Sequence, residues 1–258
     1  MTIQHACHDC GGVIEGDDLQ SFGDAFIRHV RAAHPDWPYP DVAVRNFAEA
    51  TQRLNGPRER LDAVGEVIVH PVDESRLDDW LDLFDHRVFA DNPAWASCYC
   101  AEPHVLEPDR RADEAAARSW RYNRDLMVER LRRGESFGYL AYVDGVAAGW
   151  VNASRRSHYT LYCQGPEAAP GDDEVIGVSC FAIAPPYRRH GLAAALLDRV
   201  IADAPARGAR WVEAYPFRNP EPGDAEHFRG PRVLYDARGF REVGQRQRYL
   251  VLRLQVRT

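Results

Sequence analysis

The sequence contains no lysine, so all 32 of its basic residues are arginines. Any mechanism that depends on a lysine side chain is therefore excluded. The chain also lacks an apolar run of roughly 18 or more residues, the length that a membrane-spanning helix needs. Its first residues lack the basic and then apolar segments of a secretory signal peptide. We expect a cytoplasmic protein that does not bind a membrane.

Acidic residues outnumber basic residues, so the formal net charge is -7 at pH 7. A nucleic-acid partner is not expected, since binding to phosphates needs a basic face. An acidic balance instead suits a cationic substrate. The composition, 45% apolar and 28% charged, is that of an ordinary globular protein. It leaves the oligomeric state open, with a dimer as one option.

Cysteine and histidine are clustered near the beginning of the chain. Cys7 and Cys10 are followed by His29 and His34, which are the ligand types and end spacings of a tetrahedral zinc site. The spacing between the two pairs is longer than in the common nucleic-acid-reading finger. We predict a compact helical module over residues 1–56, in which a structural zinc substitutes for a large core. The alternative is that these side chains are unrelated surface residues.

Two helices are predicted inside this module. Asp17 or Asp18 can cap the first, which carries Leu19, Phe22, Phe26 and Val30 on one face. Asp41 can cap the second. Residues 57–64 are predicted to be a linker. The whole module resembles small zinc-finger-like domains that occur alone or fused in bacteria.

From residue 65 to residue 258 the pattern changes to alternating strands and helices. Asp144-Gly145 joins two apolar strands as a tight hairpin. Later strands flank a helix that begins near residue 190 and would be parallel to each other. The fold class predicted is α/β, or α+β, with antiparallel strands first and one parallel pair.

The stretch "CFAIAPPYRRHGLAAALL" over 180–197 passes from an apolar strand through a turn into a helix. The first backbone N–H groups of such a helix have no partners within it, and they form an anion site together with the positive end of the helix. Gly191 lets the backbone approach a ligand closely. The spacing alone leaves a purely structural turn equally open.

The order Arg188-Arg189-His190-Gly191-Leu192-Ala193 resembles the pyrophosphate-binding signature of the GNAT superfamily of acetyl-CoA-dependent N-acetyltransferases, [Arg/Gln]-x-x-Gly-x-[Gly/Ala]. Farther along, "LYDARGFREVG" resembles the closing Tyr-x-x-x-Gly-Phe segment of that family. The resemblance covers about residues 65–256. It implies a mixed central sheet with a V-shaped splay between two parallel strands, preceded here by the small zinc module.

The resemblance also implies roles for individual residues. Main-chain groups of one strand would meet the pantetheine arm and the thioester, and the signature loop would hold the pyrophosphate. The implied coenzyme-binding residues are Phe181, Ala182, Ile183, Arg188, Arg189, His190, Gly191, Leu192, Ala193 and Ala194. Tyr235 matches the tyrosine of the family that lies near the coenzyme sulfur, where it can donate a proton.

Each of the other reactive residues could have either a chemical or a structural role. Glu213 is the first choice for a general base, with Glu174 and His158 behind it, and an ordinary ion pair is the alternative. Cys180 could be a nucleophile or a small buried apolar residue. The group formed by Cys98, Cys100 and His104 could bind a metal or build a buried active-site loop. The sequence favours the structural interpretation of both cysteine sites.

The function predicted is transfer of an acetyl group from acetyl-CoA to an amine of a small cationic molecule or a peptide by direct attack. The first alternative is a non-catalytic sensor that binds acyl-CoA and uses its zinc module for interactions. A second alternative is a zinc-finger nucleic-acid binder, against which the missing basic patch speaks.

Overall fold

A computed structural model describes residues 2–105, 118–162, 171–220, 223, 227–246 and 248–256. The strands are β1 (Ile3–Ala6), β2 (Val13–Gly16), β3 (Val67–Pro71), β4 (Gly138–Val143), β5 (Val146–Arg155), β6 (Val175–Ile183), β7 (Trp211–Ala214), β8 (Arg241–Gln245) and β9 (Leu250–Gln255). The helices are α1 (Leu19–Ala33), α2 (Asp41–Arg53), α3 (Leu77–Asp82), α4 (Glu102–Val105), α5 (Trp120–Arg132), α6 (Leu192–Asp203) and α7 (Arg232–Asp236). Within these ranges no helix is both long and apolar enough to span a membrane.

Seven strands form one mixed sheet in the order β3-β4-β5-β6-β7-β9-β8. All neighbours are antiparallel except β6 and β7, which are parallel. The strand β6 lies in the middle of the sheet, and eight of its nine residues are buried, as its apolar sequence requires. The predicted mixed sheet with one parallel pair is confirmed.

Helices cover both faces of the sheet. On one face α6 packs against the sheet with its apolar stripe of Leu192, Leu196, Leu197 and Val200. On the other face the core is aromatic, and Trp80 lies edge-on against Trp150 with ring centroids 6.0 Å apart. The sheet is therefore the middle layer of a three-layer domain.

The N-terminal module contains both predicted helices, and the structure adds a hairpin of β1 and β2. Asp18 caps α1 through the Ser21 backbone N–H at 2.7 Å, and the Ser21 hydroxyl accepts in return from the Asp18 backbone. Asp41 is the first residue of α2 and not its cap. Each strand of the hairpin has only four residues, which is too short for a two-residue alternation to be recognised in sequence.

The second helix of this module packs into the larger domain through a polar face. The Asn46 side chain donates to the Arg118 carbonyl at 2.6 Å and accepts from the Trp120 N–H at 3.0 Å. The fully buried Glu49 accepts from the indole N–H of Trp120 at 2.7 Å. Asn46 and Glu49 are buried, and buried polar groups need hydrogen-bond partners. Their bonds to Arg118 and Trp120 therefore hold α2 against the larger domain.

Arg53 continues the same face and is buried at 7% exposure. Its guanidinium lies 4.4 Å from the Trp120 ring centroid and donates to the Tyr99 hydroxyl at 3.0 Å and to the Asp85 carbonyl at 2.8 Å. The Asp85 carbonyl belongs to a π-helical turn over Leu83–Arg87, which directly follows α3. Arg53 thus satisfies carbonyls that the wider turn presents.

Candidate active site

The parallel strands β6 and β7 part halfway along β6. Their register joins Val175–Val178 to Trp211–Ala214, and β7 ends there while β6 continues to Ile183. A shift in register against β5 falls at the same point, so Ser179 is an extra residue that bends β6. The predicted splay between the two strands is confirmed.

The main chain at the splay is not wholly free. The Phe181 N–H donates to the Phe228 carbonyl at 2.5 Å, so the segment before α7 closes over this part of β6. On its other edge, β6 stays paired with β5 through Ala182 and Ile183. A ligand arm that enters the splay would replace the Phe228 carbonyl as the partner of Phe181.

The turn that follows β6 presents backbone N–H groups at the beginning of α6. Gly191 precedes the helix with φ +81°, and no side chain caps this helix start. Arg189 also has a positive φ of 67°. The first residues of α6, Leu192, Ala193 and Ala194, add N–H donors of the first helical turn. Main-chain N–H groups at the positive end of a helix are an arrangement that can hold an anion.

Two side chains of the signature, those of Arg188 and His190, bind other parts of the protein. The Arg188 guanidinium binds both carboxylate oxygens of Asp91, at 2.5 and 3.0 Å, and also the Ile183 carbonyl at 3.0 Å. The His190 ring lies 2.8 Å from the Leu61 carbonyl. Arg188 and His190 therefore hold the turn in shape, and main-chain binding of an anion by this turn stays a prediction.

Tyr235 lies on α7 and is fully buried. Its hydroxyl donates to the Arg229 carbonyl at 2.6 Å. Gly230, at φ +76°, makes this possible, because a β-carbon there would lie 2.6 Å from the Tyr235 hydroxyl. Burial raises the pKa of Tyr235, opposed by the Arg229 guanidinium and reinforced by the Cys180 thiol on β6. The phenol therefore keeps its proton at neutral pH and lies within electrostatic reach of the splayed strand.

Glu213 lies on β7, where it is paired with arginines. Its carboxylate binds Arg156 at 3.1 Å and Arg253 at 2.6 Å and accepts from the Tyr215 hydroxyl at 2.9 Å. Both of its carboxylate oxygens thus already have hydrogen-bond partners. Of the other two base candidates, Glu174 pairs with Arg210, whereas the ring Nδ1 atom of His158 is buried without a hydrogen-bond partner among the described residues. A base role for Glu213 stays a prediction that these contacts weigh against.

The second cysteine and histidine group is spread over different partners. Cys100 contacts Cys180, with the two sulfurs 3.0 Å apart. The His104 ring instead faces the His158 carbonyl at 3.0 Å and the Asn152 amide at 3.2 Å. Burial lowers the pKa of His104 to about 3, and Arg130 adds to this, so the ring is neutral. These contacts are those of a buried loop beside β6.

The four side chains of the N-terminal cysteine and histidine group lie close together. One ligand atom each of Cys7, Cys10, His29 and His34 lie within 4.8 Å of one another, and in the parts of the chain that the structure describes no other such group occurs. Cys7 Sγ is 3.3 Å from His34 Nε2, and Cys10 Sγ is 3.4 Å from His29 Nε2. A tetrahedral zinc with ordinary bond lengths separates sulfur and nitrogen ligands by about 3.5 Å. The residues therefore fit a zinc ion.

Two further features of this group suit a metal. Burial alone would raise the pKa of Cys7, but hydrogen bonds from the Cys10 backbone and the His29 ring lower it to about 6. A thiolate is the form that binds zinc. At Gly12 a β-carbon would lie 2.8 Å from the His29 ring, so the turn after Cys10 leaves no room for a side chain at this position.

Sequence reasoning missed a buried cation beside the splay. Arg229 is 4% exposed and lies between the rings of Tyr162 and Phe228, with its guanidinium 5.6 and 5.3 Å from their centroids. One acidic partner, Glu102, is 3.4 Å away. The only sequence signal is an arginine with an aromatic neighbour, six residues before Tyr235, which is too common a pattern to single out.

Comparison with known proteins gives one family match. The profile of the acetyltransferase (GNAT) family matches residues 78–220, which is more than half of the chain. No curated protein matches the chain at a significant level.

Many solved structures are similar to this chain at low sequence identity. An N-acetyltransferase from Staphylococcus aureus Mu50 is 16% identical, with a TM-score of 0.45, and the match covers 75% of this chain and all of the other. A putative acetyltransferase from Salmonella typhimurium with its cofactor acetyl-CoA is 14% identical, with a TM-score of 0.43 and coverage of 75% and 95%. An N-acetyltransferase from Thermoplasma acidophilum in complex with coenzyme A is 8% identical, with a TM-score of 0.45 and coverage of 74% and 99%.

Proposed function

Since the chain belongs to the acetyltransferase (GNAT) family, we propose that it transfers an acetyl group from acetyl-CoA to an amine. The observation that carries this proposal is the splay between β6 and β7 next to the uncapped start of α6 at Gly191. The splay offers main chain to an extended arm, and the helix start offers N–H groups to a pyrophosphate. Both lie along one continuous stretch of chain, as a coenzyme with these two parts requires.

When bound, acetyl-CoA supplies a thioester that an acceptor amine attacks directly and whose sulfur leaves as a thiol. For binding, we propose the ten residues predicted from Phe181 to Ala194. Phe181, Ala182 and Ile183 would orient the arm with main-chain groups, and the turn at Gly191 would neutralise the pyrophosphate. Tyr235 would hold a proton at its hydroxyl for the departing sulfur. No covalent bond to the enzyme is needed.

The acceptor that we propose is a small cationic amine or a peptide. The support is the net charge of -7, which attracts cations to the surface over about a Debye length. We also propose a cytoplasmic protein that binds neither nucleic acid nor membranes. The division into a module over 1–56, a linker over 57–64 and a catalytic domain over 65–258 stays a prediction.

Calorimetric titration with acetyl-CoA, and in parallel with free CoA, tests the proposed function. Micromolar binding of both, followed by thiol release when an amine library is added, is the expected result. Binding without thiol release from any amine would favour the non-catalytic sensor. Absence of binding by the folded protein would overturn both.

For the N-terminal module we propose a structural zinc ion held by Cys7, Cys10, His29 and His34. The ion would cross-link the β1–β2 hairpin to the end of α1, where the core of Phe22, Phe26 and Val30 is small. We expect about one zinc per purified chain and less than a tenth of that in Cys7→Ser. Elemental analysis measures this. Cys98→Ser is the matched control, and zinc retained by Cys7→Ser would contradict the assignment.

Glu213→Gln separates the two roles of this carboxylate. We expect a loss of stability of about 3 kcal/mol, because Arg156, which keeps only Asp172, and Arg253 each lose an anionic partner. For a domain of this size the loss corresponds to a fall in Tm of roughly 6–12 °C. Thermal denaturation and steady-state kinetics are measured together. An unchanged Tm with turnover lowered about 100-fold would instead establish Glu213 as the base.

A further inference from the structure

The segment over 57–64, between the N-terminal helices and the sheet, lies against the turn that joins β6 to α6. This turn contains Arg188–Gly191 and is called the signature turn below. The Leu61 N–H donates to the Pro186 carbonyl at 3.0 Å, and the His190 ring donates to the Leu61 carbonyl at 2.8 Å. One residue of the segment therefore holds both sides of the turn, four residues apart. Leu61 itself is 43% exposed, so it is the main chain and not the side chain that makes the contact.

The turn needs outside support because of its backbone. Arg189 and Gly191 both have positive φ, at 67° and 81°. A left-handed conformation at arginine is unfavourable in isolation and persists only where neighbours fix it. The supports present are the ion pair of Arg188 with Asp91 on one side and the contact of His190 with Leu61 on the other. Arg188 is held by the larger domain, and His190 is held by the segment that follows the N-terminal module.

A second path joins the module to β6. Arg53 of α2 donates to the Tyr99 hydroxyl, and Tyr99 and Cys100 are two successive residues with positive φ, at 47° and 54°. The Cys100 sulfur contacts Cys180, the residue before Phe181. The module thus reaches the strand of the proposed coenzyme site, and the segment that follows the module reaches the turn. Neither path passes through a residue that would touch the coenzyme with its side chain.

We propose that the N-terminal module and the segment over 57–64 that follows it position the coenzyme site, and that His190 and Leu61 are the positioning residues for the turn. The His190 side chain acts through its bond to the Leu61 carbonyl and not as a ligand of the pyrophosphate. The inference rests on the proposed function, because it concerns the same coenzyme. It assigns to the module and to this segment a share of coenzyme affinity, beyond the structural role of the metal group.

Calorimetry with CoA on His190→Ala and His190→Gln tests this assignment. The glutamine amide can replace the ring N–H toward Leu61 but offers no imidazole to a phosphate. We expect the Kd of His190→Ala to rise roughly three- to tenfold, as for one lost hydrogen bond, and that of His190→Gln to stay near the wild type.

Hydrogen exchange gives a second readout that a merely structural contact would not move. Binding of CoA to the wild type should slow amide exchange around Leu61, although this segment does not touch the coenzyme, and the effect should be lost in His190→Ala. An unchanged Kd in His190→Ala, or unchanged exchange around Leu61, overturns the inference. Equal weakening in both variants would also overturn it, since the imidazole itself would then bind the coenzyme.

The wild-type titration separates this inference from the function on which it rests. If the wild type binds CoA and both variants bind it equally well, only the positioning role fails. If the wild type binds neither acetyl-CoA nor CoA, the proposed function fails, and the positioning role fails with it.

Discussion

Gly191→Glu abolishes coenzyme binding, with the Kd for CoA raised more than about 100-fold, if the turn before α6 holds the pyrophosphate. Two effects add. A side chain at φ +81° costs about 1–2 kcal/mol. A carboxylate at the helix start also repels the phosphates and competes for the N–H groups of the first turn. Calorimetric titration with CoA measures the loss.

Two controls separate these effects. Gly191→Ala carries the backbone cost without the charge, since the space around a β-carbon there is open, and should weaken binding about tenfold. Gly134→Glu places the same residue at another open position with positive φ, 68°, after α5 and away from the turn. It should bind CoA as the wild type does. Tight binding by Gly191→Glu would remove the turn from the coenzyme site.

Tyr235→Phe is expected to lower turnover about 100-fold or more while the Kd for CoA changes less than about twofold. The ring remains packed against Phe240, and only the hydroxyl that would protonate the sulfur is lost. Since the Arg229 carbonyl also loses its donor, a moderate decrease in stability is expected, and assays belong well below the Tm. Weaker coenzyme binding with unchanged turnover would contradict a proton-donor role.

The raised pKa of Tyr235 adds a prediction for the pH profile of the wild type. A phenol whose pKa is raised by burial stays protonated through the neutral and mildly alkaline range. Turnover should therefore rise with pH as the acceptor and the base lose protons, and then stay level to about pH 9. A decline between pH 7 and 9 would mean that a group of lower pKa donates the proton.

The features that were predicted from sequence are those encoded within short continuous stretches. The apolar run of β6, the turn at Gly191 and the apolar stripe of α6 follow one another, so strand, anion site and helix could be inferred together. The metal group was found for a similar reason, because cysteine and histidine pairs at fixed spacings have few other uses.

What sequence could not provide depends on contacts between distant residues. Asn46, Glu49 and Arg53 have the pattern of a solvated helix face, but the structure buries all three against the larger domain. Likewise, nothing in the sequence of residues 57–64 indicated that the Leu61 main chain would contact the signature turn. Glu213 looked available because its arginine partners, Arg156 and Arg253, are 57 and 40 residues away in sequence.

The polar face of α2 also affects the order in which the chain can fold during synthesis. Asn46 accepts a hydrogen bond from the backbone N–H of Trp120, which is synthesised 74 residues later. At ordinary rates of translation this is a delay of about 4–15 s. During that time Glu49 and Arg53 remain hydrated, and α2 has only the small module to pack against. The N-terminal segment therefore emerges first from the ribosome but completes its native contacts only after α5 has been made.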